Sequence, residues 1–516
     1  MSRLQGRVGR TACLGLLSGF LLLSFAGVAA GAPGDVTVSQ VANIRPGSAS
    51  SIPQELTDAG GTLLFNANDG VNGTELWKSN GGPLGPGGTE MVENIESGSS
   101  DSTPQELTRI GSTVFFNAFD STHGRELWKI DPPYTDAVLI EDIRPMGSSS
   151  GPSDLTAASN TLFFSADDGT NGTELWKSTP PYNAASTDIV KNIVSGSGSS
   201  NPNGLFNDAG TLFFDAQNAP DDELWKSEPP DYDTASTSKV DVNPSGDSFP
   251  GPFTQVNGTL IFAADDGSGD GFELFRLPSP YTTPVQVKDI NPTGDSQIGD
   301  LLNVNGTAFF SATDGGAAVG LELWKSVSPF HAASTTPLDI NPGTSDSNAD
   351  QLRNIGGTVF LSAGDGVHGV EPWKSNGGPV GGGTDLVADI VSPGGSFPSG
   401  FADVNGTAFF RAFETAGPNL FRSTGIGATK VSTQFTTGSA PQQLTNVGGT
   451  LFFTATDSTL TTGQELWKAT IEPNPPPPAS PSTPAAPAPT TTKKKCKKKH
   501  KKRAAAAKKK CKKEKK

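Results

Sequence analysis

Cysteine is nearly missing from this chain. Of 516 residues three are cysteine, and none lies between Cys13 and Cys496. No disulfide framework can therefore hold the long stretch between them, which needs a large continuous apolar core instead. Histidine and tyrosine number four each. Abundant, asymmetrically placed His, Arg and Tyr would favour an enzyme; this composition does not. Zinc-ligand spacing, a glycine-rich phosphate loop and a nucleophile elbow are also missing from the sequence. Beyond residue 30 no run approaches the ~18–20 apolar residues that span a bilayer, so no transmembrane segment is expected in the mature chain.

What is present divides by composition. Arg3, Arg7 and Arg10 precede the apolar run CLGLLSGFLLLSFAGVAA, which reads as a secretory signal peptide (residues 1–30) cleaved near Ala30. The predicted location is secreted or cell surface. At the other end, IEPNPPPPASPSTPAAPAPTTT reads as a proline-rich, extended linker (471–492). It leads into Lys493–Lys516, which holds 16 of the chain's 38 basic residues and one acid. Residues 31–492 then carry 19 basic against 52 acidic side chains, a net of −33. An acidic body and a basic tail imply two separate jobs. The tail is expected to bind anionic polymers of the cell envelope through salt-sensitive contacts; export makes nucleic acid an unexpected partner. Cys496 and Cys511 lie among lysines that favour thiolate, which would let tails crosslink.

The body, 31–470, repeats. GTELWKS occurs word for word at Gly73–Ser79 and Gly172–Ser178, and looser copies fill the intervals. The aromatic of each copy is Trp77, Trp128, Trp176, Trp225, Phe275, Trp324, Trp373, Phe421 and Trp467, and all seven tryptophans sit in this one slot. Each copy follows an apolar strand such as TLFFSA and an Asp-Gly turn. Each is followed by a strand ending in DI or NI, then a Pro/Gly/Ser connection and an Asn-Gly or Gly-Gly hairpin. Four short antiparallel strands in about 49 residues is the size of a propeller blade. LFF and ELW place large apolar side chains on successive positions, hence on both faces of the sheet, as neighbouring blades would require.

The count predicts closure. There are nine ELWK-type and nine FF-type strands, but the first DI-type strand, Val36–Ile44, precedes the first full unit and none follows Trp467. The N-terminal strand is therefore expected to complete the last blade of an all-β, nine-bladed propeller. Nine exceeds the usual ~4–8 blades, so eight blades plus a degenerate unit, or an open arc, are the alternatives. The aromatic slot is expected to pack blade against blade.

EPWKSNGGPVGGGTDLVADI (Glu371–Ile390) and ELWKSNGG (Glu75–Gly82) resemble the bacterial ELW-x-x-DGT repeat proteins over residues 36–470. The resemblance implies an exported surface or secreted propeller with no activity attached to the repeat. The chain departs from that pattern in the DGT portion, where most copies read STPP, SEPP or SVSP.

The recurring acids supply the remaining candidates. Glu fills one slot in eight repeats (Glu75, Glu126, Glu174, Glu223, Glu273, Glu322, Glu371, Glu465), with Lys or Arg three residues later in all nine. A circumferential ladder of Glu–Lys pairs is the expected use. Acids on the turns suit calcium, and DDGSGDG with Asp265, Asp266 and Asp270 is the best single candidate, although turn chemistry alone accounts for such residues. No other cofactor and no catalytic residue is indicated. His123 and His368 stand where other turns have Asn and read as turn variants. The expectation is a non-enzymatic binding, adhesion or structural scaffold at the cell envelope, with an unknown ligand on the propeller face. The alternatives are an extracellular enzyme acting on polysaccharide and a calcium-dependent adhesion module.

Overall fold

In the computed structural model, residues 34–218, 220–415, 417–431, 440–456 and 462–472 are described. The chain divides into two units, Met1–Glu472 and Pro473–Lys516. The signal segment, nearly all of the proline-rich linker and Lys493–Lys516 lie outside the described residues. Within them no helix is long and apolar enough to cross a membrane.

The described strands form nine four-stranded antiparallel sheets. β1 (Val36–Ala42) stands apart from the first blade, which is β2 (Gln54–Asp58), β3 (Leu63–Asn68), β4 (Thr74–Ser79) and β5 (Thr89–Glu93). Blades 2 to 8 repeat this order inner to outer, and the inner strands lie side by side around the ring. Blade 9 takes three strands from Gln442–Ile471 and its outermost from β1, with Val36 opposite Ile471 and Gln40 opposite Trp467. The inner strand of blade 9 also packs on β2. The ring is closed and has nine blades.

Register explains the repeated aromatic. In every blade the slot residue stands opposite the second large residue of the preceding strand: Phe65 with Trp77, Phe116 with Trp128, Phe262 with Phe275, Leu361 with Trp373, Phe453 with Trp467. Successive residues on a strand face opposite ways, so the two members of each LFF or ELW pair enter different interfaces. Phe115 and Leu127 join Leu162, Phe164 and Trp176 of blade 3 in one cluster. Their neighbours Phe116 and Trp128 join Leu64 and Leu76 of blade 1 in another. Nine such clusters fill the nine interfaces. The Trp indole N–H is used as well: Trp77, Trp176, Trp225, Trp324 and Trp467 donate to an alanine carbonyl on the adjacent strand at 2.9–3.2 Å.

The expected Glu–Lys ladder is not how these charges are used. Three positions apart on a strand, the two side chains face opposite ways. The glutamates are fully buried and hold the connection to the next blade. Glu75 accepts from Ile95 N (2.9 Å), Ser102 N (3.1 Å) and Ser102 Oγ (2.6 Å). The same serine contact recurs at Glu126–Ser150, Glu174–Ser200, Glu223–Ser248 and Glu465–Ser51. The lysines reach the opposite way, to a turn carbonyl of the next blade: Lys78 to Pro133 O, Lys129 to Pro181 O and Lys468 to Gly81 O, at 3.3, 3.2 and 2.8 Å. Two rings of latches thus join the blades, carboxylates at the connector end and ammonium groups at the turn end.

Burial in a site without a countercharge disfavours the carboxylate form. It outweighs the serine hydroxyl and backbone N–H donors, so Glu75, Glu126, Glu273 and Glu322 are raised to about 7, and Glu174, Glu223, Glu371 and Glu465 are raised as well. The folded ring therefore holds protons that an unfolded chain, with Glu near 4.5, releases. That contribution to stability is complete below about pH 4.5 and is lost as pH rises through about 7. The melting temperature should accordingly fall from pH 5 to pH 8 in calorimetric scans, and Glu322→Gln should flatten the dependence. A melting temperature that rises over this range would contradict the assignment.

Candidate functional site

Ninefold repetition cancels individuality, so a site is sought where the ring departs from it. Blade 8 departs most. Its outer strand is only Thr429–Lys430. Its glutamate slot holds Asn419, whose amide donates to Glu414 at 2.6 Å. Its aromatic is Phe421, and its basic residue, Arg422, bonds the Gly34 carbonyl.

The turn before the outer strand is of two kinds in blades 1 to 8, aromatic in blades 2 to 6 and glycine-based in blades 1, 7 and 8. In blades 2 to 5 this turn carries the four tyrosines, each at positive φ, directly after a cis proline at Tyr134, Tyr182 and Tyr281 and one residue further on at Tyr232. Tyr182, Tyr232 and Tyr281 set their rings edge-on against Phe115, Phe163 and Phe213 of the preceding blade, with centroids 4.8–5.0 Å apart. Tyr134 donates to Ala59 O of the preceding blade (2.7 Å), and Tyr281 to Asp208 Oδ2 (2.8 Å). Phe330 fills the same place in blade 6. The Pro-Pro-Tyr, Pro-Pro-Asp-Tyr and Ser-Pro-Tyr segments that replace the DGT pattern are therefore plugs between blades, which the repeat itself did not reveal; confinement of all four tyrosines to one turn of the repeat was the available signal.

Blade 8, like blades 1 and 7, has a glycine turn in place of the plug. Its turn, Thr424–Ala428, brings Gly425 over Phe360 and Lys374 of blade 7, where a Cβ would stand 3.8 Å from the ring and 3.4 Å from the lysine chain. Beside it opens a cleft of about 290 Å³ whose walls include Thr358, Phe360, Lys374, Asn376, Asp385 and Thr424. A second space of about 290 Å³, around Arg422, shares Thr424. Lys374 occupies the latch position, yet among the described residues it makes neither the carbonyl bond of Lys325 and Lys468 nor the ion pair that Lys78 makes with Glu90 at 3.2 Å. Its cross-strand neighbour is Asp385. An ammonium, a carboxylate, an amide and two hydroxyls around a small opening suit a polar ligand of monosaccharide size.

The sequence candidates lie elsewhere. The aromatic slot is 1–9% exposed throughout, which leaves no ring face on which a ligand could stack. Asp265 and Asp266 cap their own turn, accepting from Gly267 N (2.8 Å) and Ser268 N (3.0 Å). Asp270 stands close enough to Asp289 to help burial raise that residue's pKa. Among the described residues no group of three or more His, Cys, Asp or Glu is placed to hold a metal ion. His123 and His368 bond the Asp that opens their turn, Nδ1 to Asp120 Oδ2 at 2.8 Å and to Asp365 Oδ2 at 2.7 Å. That carboxylate raises His368 above the ordinary imidazole value.

No family model and no curated protein matches the chain. Solved structures do. One of two prolyl endopeptidases is 11% identical, with 81% of this chain and 56% of that chain covered and a TM-score of 0.41. A puromycin hydrolase is 12% identical, covers 83% and 62%, and scores 0.38. The β-propeller domain of the Trilobed protease from Pyrococcus furiosus is 9% identical, covers 64% and 98%, and scores 0.36. The chain spans 56–62% of the endopeptidase and the hydrolase. The expectation of a non-enzymatic scaffold is corrected by these matches: the solved chains that this one resembles are peptidases and hydrolases, so the assignment "not an enzyme" is withdrawn. At such identities the likeness extends to the propeller fold alone and carries no peptidase activity to this chain.

Lys468→Met should lower stability by about 1–2 kcal/mol in urea titration, because a charged donor to a turn carbonyl is lost. Lys374→Met, with no such bond to lose, should stay within about 0.5 kcal/mol of the parent. Equal losses in the two variants would show that Lys374 is a latch like the rest.

Proposed function

We propose that the chain is an exported propeller of the ELW-x-x-DGT repeat type, held on anionic polymers of the cell envelope by Lys493–Lys516, and that the cleft between blades 7 and 8 engages a small polar ligand there. The observation that carries the first part is the segregation of charge: 16 basic residues in the last 24, against a net of −33 over 31–492. A polycation binds a polyanion by releasing counterions, so attraction is strong at low salt and screened at high salt. The acidic body is repelled by the same polymer, which keeps the propeller face free for its own ligand.

The cleft supports the second part because its lysine is unlatched although blade 8 presents the kind of glycine turn that Lys325 and Lys468 bond in blades 7 and 1. Seven of the nine Lys/Arg slots reach a carbonyl across to the neighbouring turn or chain end. A lysine without that bond is available to an outside acceptor, and Asp385, Asn376 and the two threonines supply the rest of a polar lining.

The test is cosedimentation of the full chain and a chain ending at Glu472 with purified cell walls, at about 50 and 500 mM salt, where the Debye length falls severalfold. The full chain should pellet at low salt and be released at high salt, and the truncated chain should stay in solution. Equal pelleting of both would remove the tail from the reading. Lys374→Ala should leave pelleting unchanged but weaken capture of wall-derived sugars by the soluble ring.

A further inference from the structure

One place in the ring lacks a charge that its counterpart in another blade supplies. In blade 2, Arg125 lies beside Asn117, with its guanidinium Nη1 bonded to Asn117 Oδ1 (2.6 Å) and Thr103 O (2.9 Å) and Nη2 directed at Ser102 O (3.5 Å). In blade 4 the two corresponding positions are both acidic: Asp215 replaces the asparagine and Asp222 the arginine. Where blade 2 seats a guanidinium against two backbone carbonyls, blade 4 sets a second carboxyl beside the first.

The blade 4 carboxyls are only 8% exposed each. Their Oδ2 atoms take amide donors, Asn203 Nδ2 to Asp215 at 3.0 Å and Gln217 Nε2 to Asp222 at 3.4 Å. Their Oδ1 atoms are buried with no partner. Two orphaned carboxylate oxygens in one small space cost free energy unless something fills it. With the space unfilled, burial comes first, followed by the hydrogen bond and charge of Asp222, in pushing Asp215 up to about 8.

We propose that Asp215 and Asp222 form a calcium site, in which the ion takes the place that the Arg125 guanidinium holds in blade 2. Every available donor is a hard oxygen. The two Oδ1 atoms are free, Asn203 and Gln217 can turn their amide oxygens inward by a flip of a terminal group, and the Asn201 carbonyl corresponds to that of Thr103. Such a set suits calcium, which takes six to eight oxygens in flexible geometry, better than zinc or magnesium. The site differs from the turn around Asp265, Asp266 and Asp270, where Asp265 and Asp266 are occupied by their own backbone N–H groups.

Calcium uptake by the full chain is measured by calorimetry, with melting temperature read alongside, for the parent, Asp215→Asn, Asp222→Asn and Asp222→Arg. The parent should bind one equivalent more than either asparagine variant and gain about 3 °C at 1 mM calcium. Asp222→Arg rebuilds the blade 2 arrangement, so it should lose that equivalent and melt, without calcium, at or above the parent. Should it fail to fold, the asparagine variants carry the comparison alone. Identical uptake by the parent and the asparagine variants, or no uptake by any chain, overturns the site.

Discussion

Everything in this ring follows from one constraint: a strand that carries large apolar residues at consecutive positions must be covered on both faces. Leu127 and Trp128 cannot share an interface, because neighbouring side chains on a strand diverge. One enters the contact with blade 3, the other the contact with blade 1. A single blade is thus left with two uncovered faces, and a row of blades leaves one at each end. Closure removes both ends at once. β1 supplies the last outer strand from the opposite end of the chain, so the ring is shut by strand pairing as well as by packing. No cysteine lies among these blades, and none is needed.

Polar latches organise the two ends of each interface. The glutamate ring grips the connector that carries the chain from one blade to the next, and the lysine ring grips the following turn. A buried carboxylate among N–H and hydroxyl donors is a demanding group to keep, and the raised pKa values show that burial outweighs those donors. Its recurrence marks the connector as the point where blade spacing is set. Blade 8 relaxes both latches, through Asn419 in place of glutamate and through an unlatched Lys374 on the blade before it, and the cleft opens at that relaxation. Blade 4 instead concentrates charge, with Asp215 and Asp222 where blade 2 has Asn117 and Arg125. Individuality in a repeat protein resides in such exceptions.

The fold was legible because repetition amplifies a weak signal. One ELWK segment says little; nine at 46–51-residue spacing, with Asn-Gly and Asp-Gly turns at constant phase, define strand, turn and blade together. Even the clasp was readable, from the single DI-type strand that precedes the first unit. The charges were misread for a reason of parity: Glu75 and Lys78 are close in sequence but face opposite ways, so their partners are a connector serine and a distant turn carbonyl. The tyrosine plugs were missed because they fall where the repeat pattern breaks off. Neither the blade 7–8 cleft nor the Asp215–Asp222 pair could be found from the repeat, since each is a departure from it that has meaning only once the neighbours are placed.

The sequence by itself determined the blade and made nine of them, shut by the N-terminal strand, the expected count, because alternation, turn chemistry and count are local or additive properties of a chain; the placed strands decided between that ring and its alternatives, eight blades or an open arc. It also determined the segregation of charge between body and tail. Tertiary structure decided which side chains meet across an interface. Those partners stand 20 residues apart when Glu75 holds Ile95, 55 apart when Lys78 reaches Pro133, and 387 apart when Lys468 reaches Gly81. Only closure of the ring brings the last of these together.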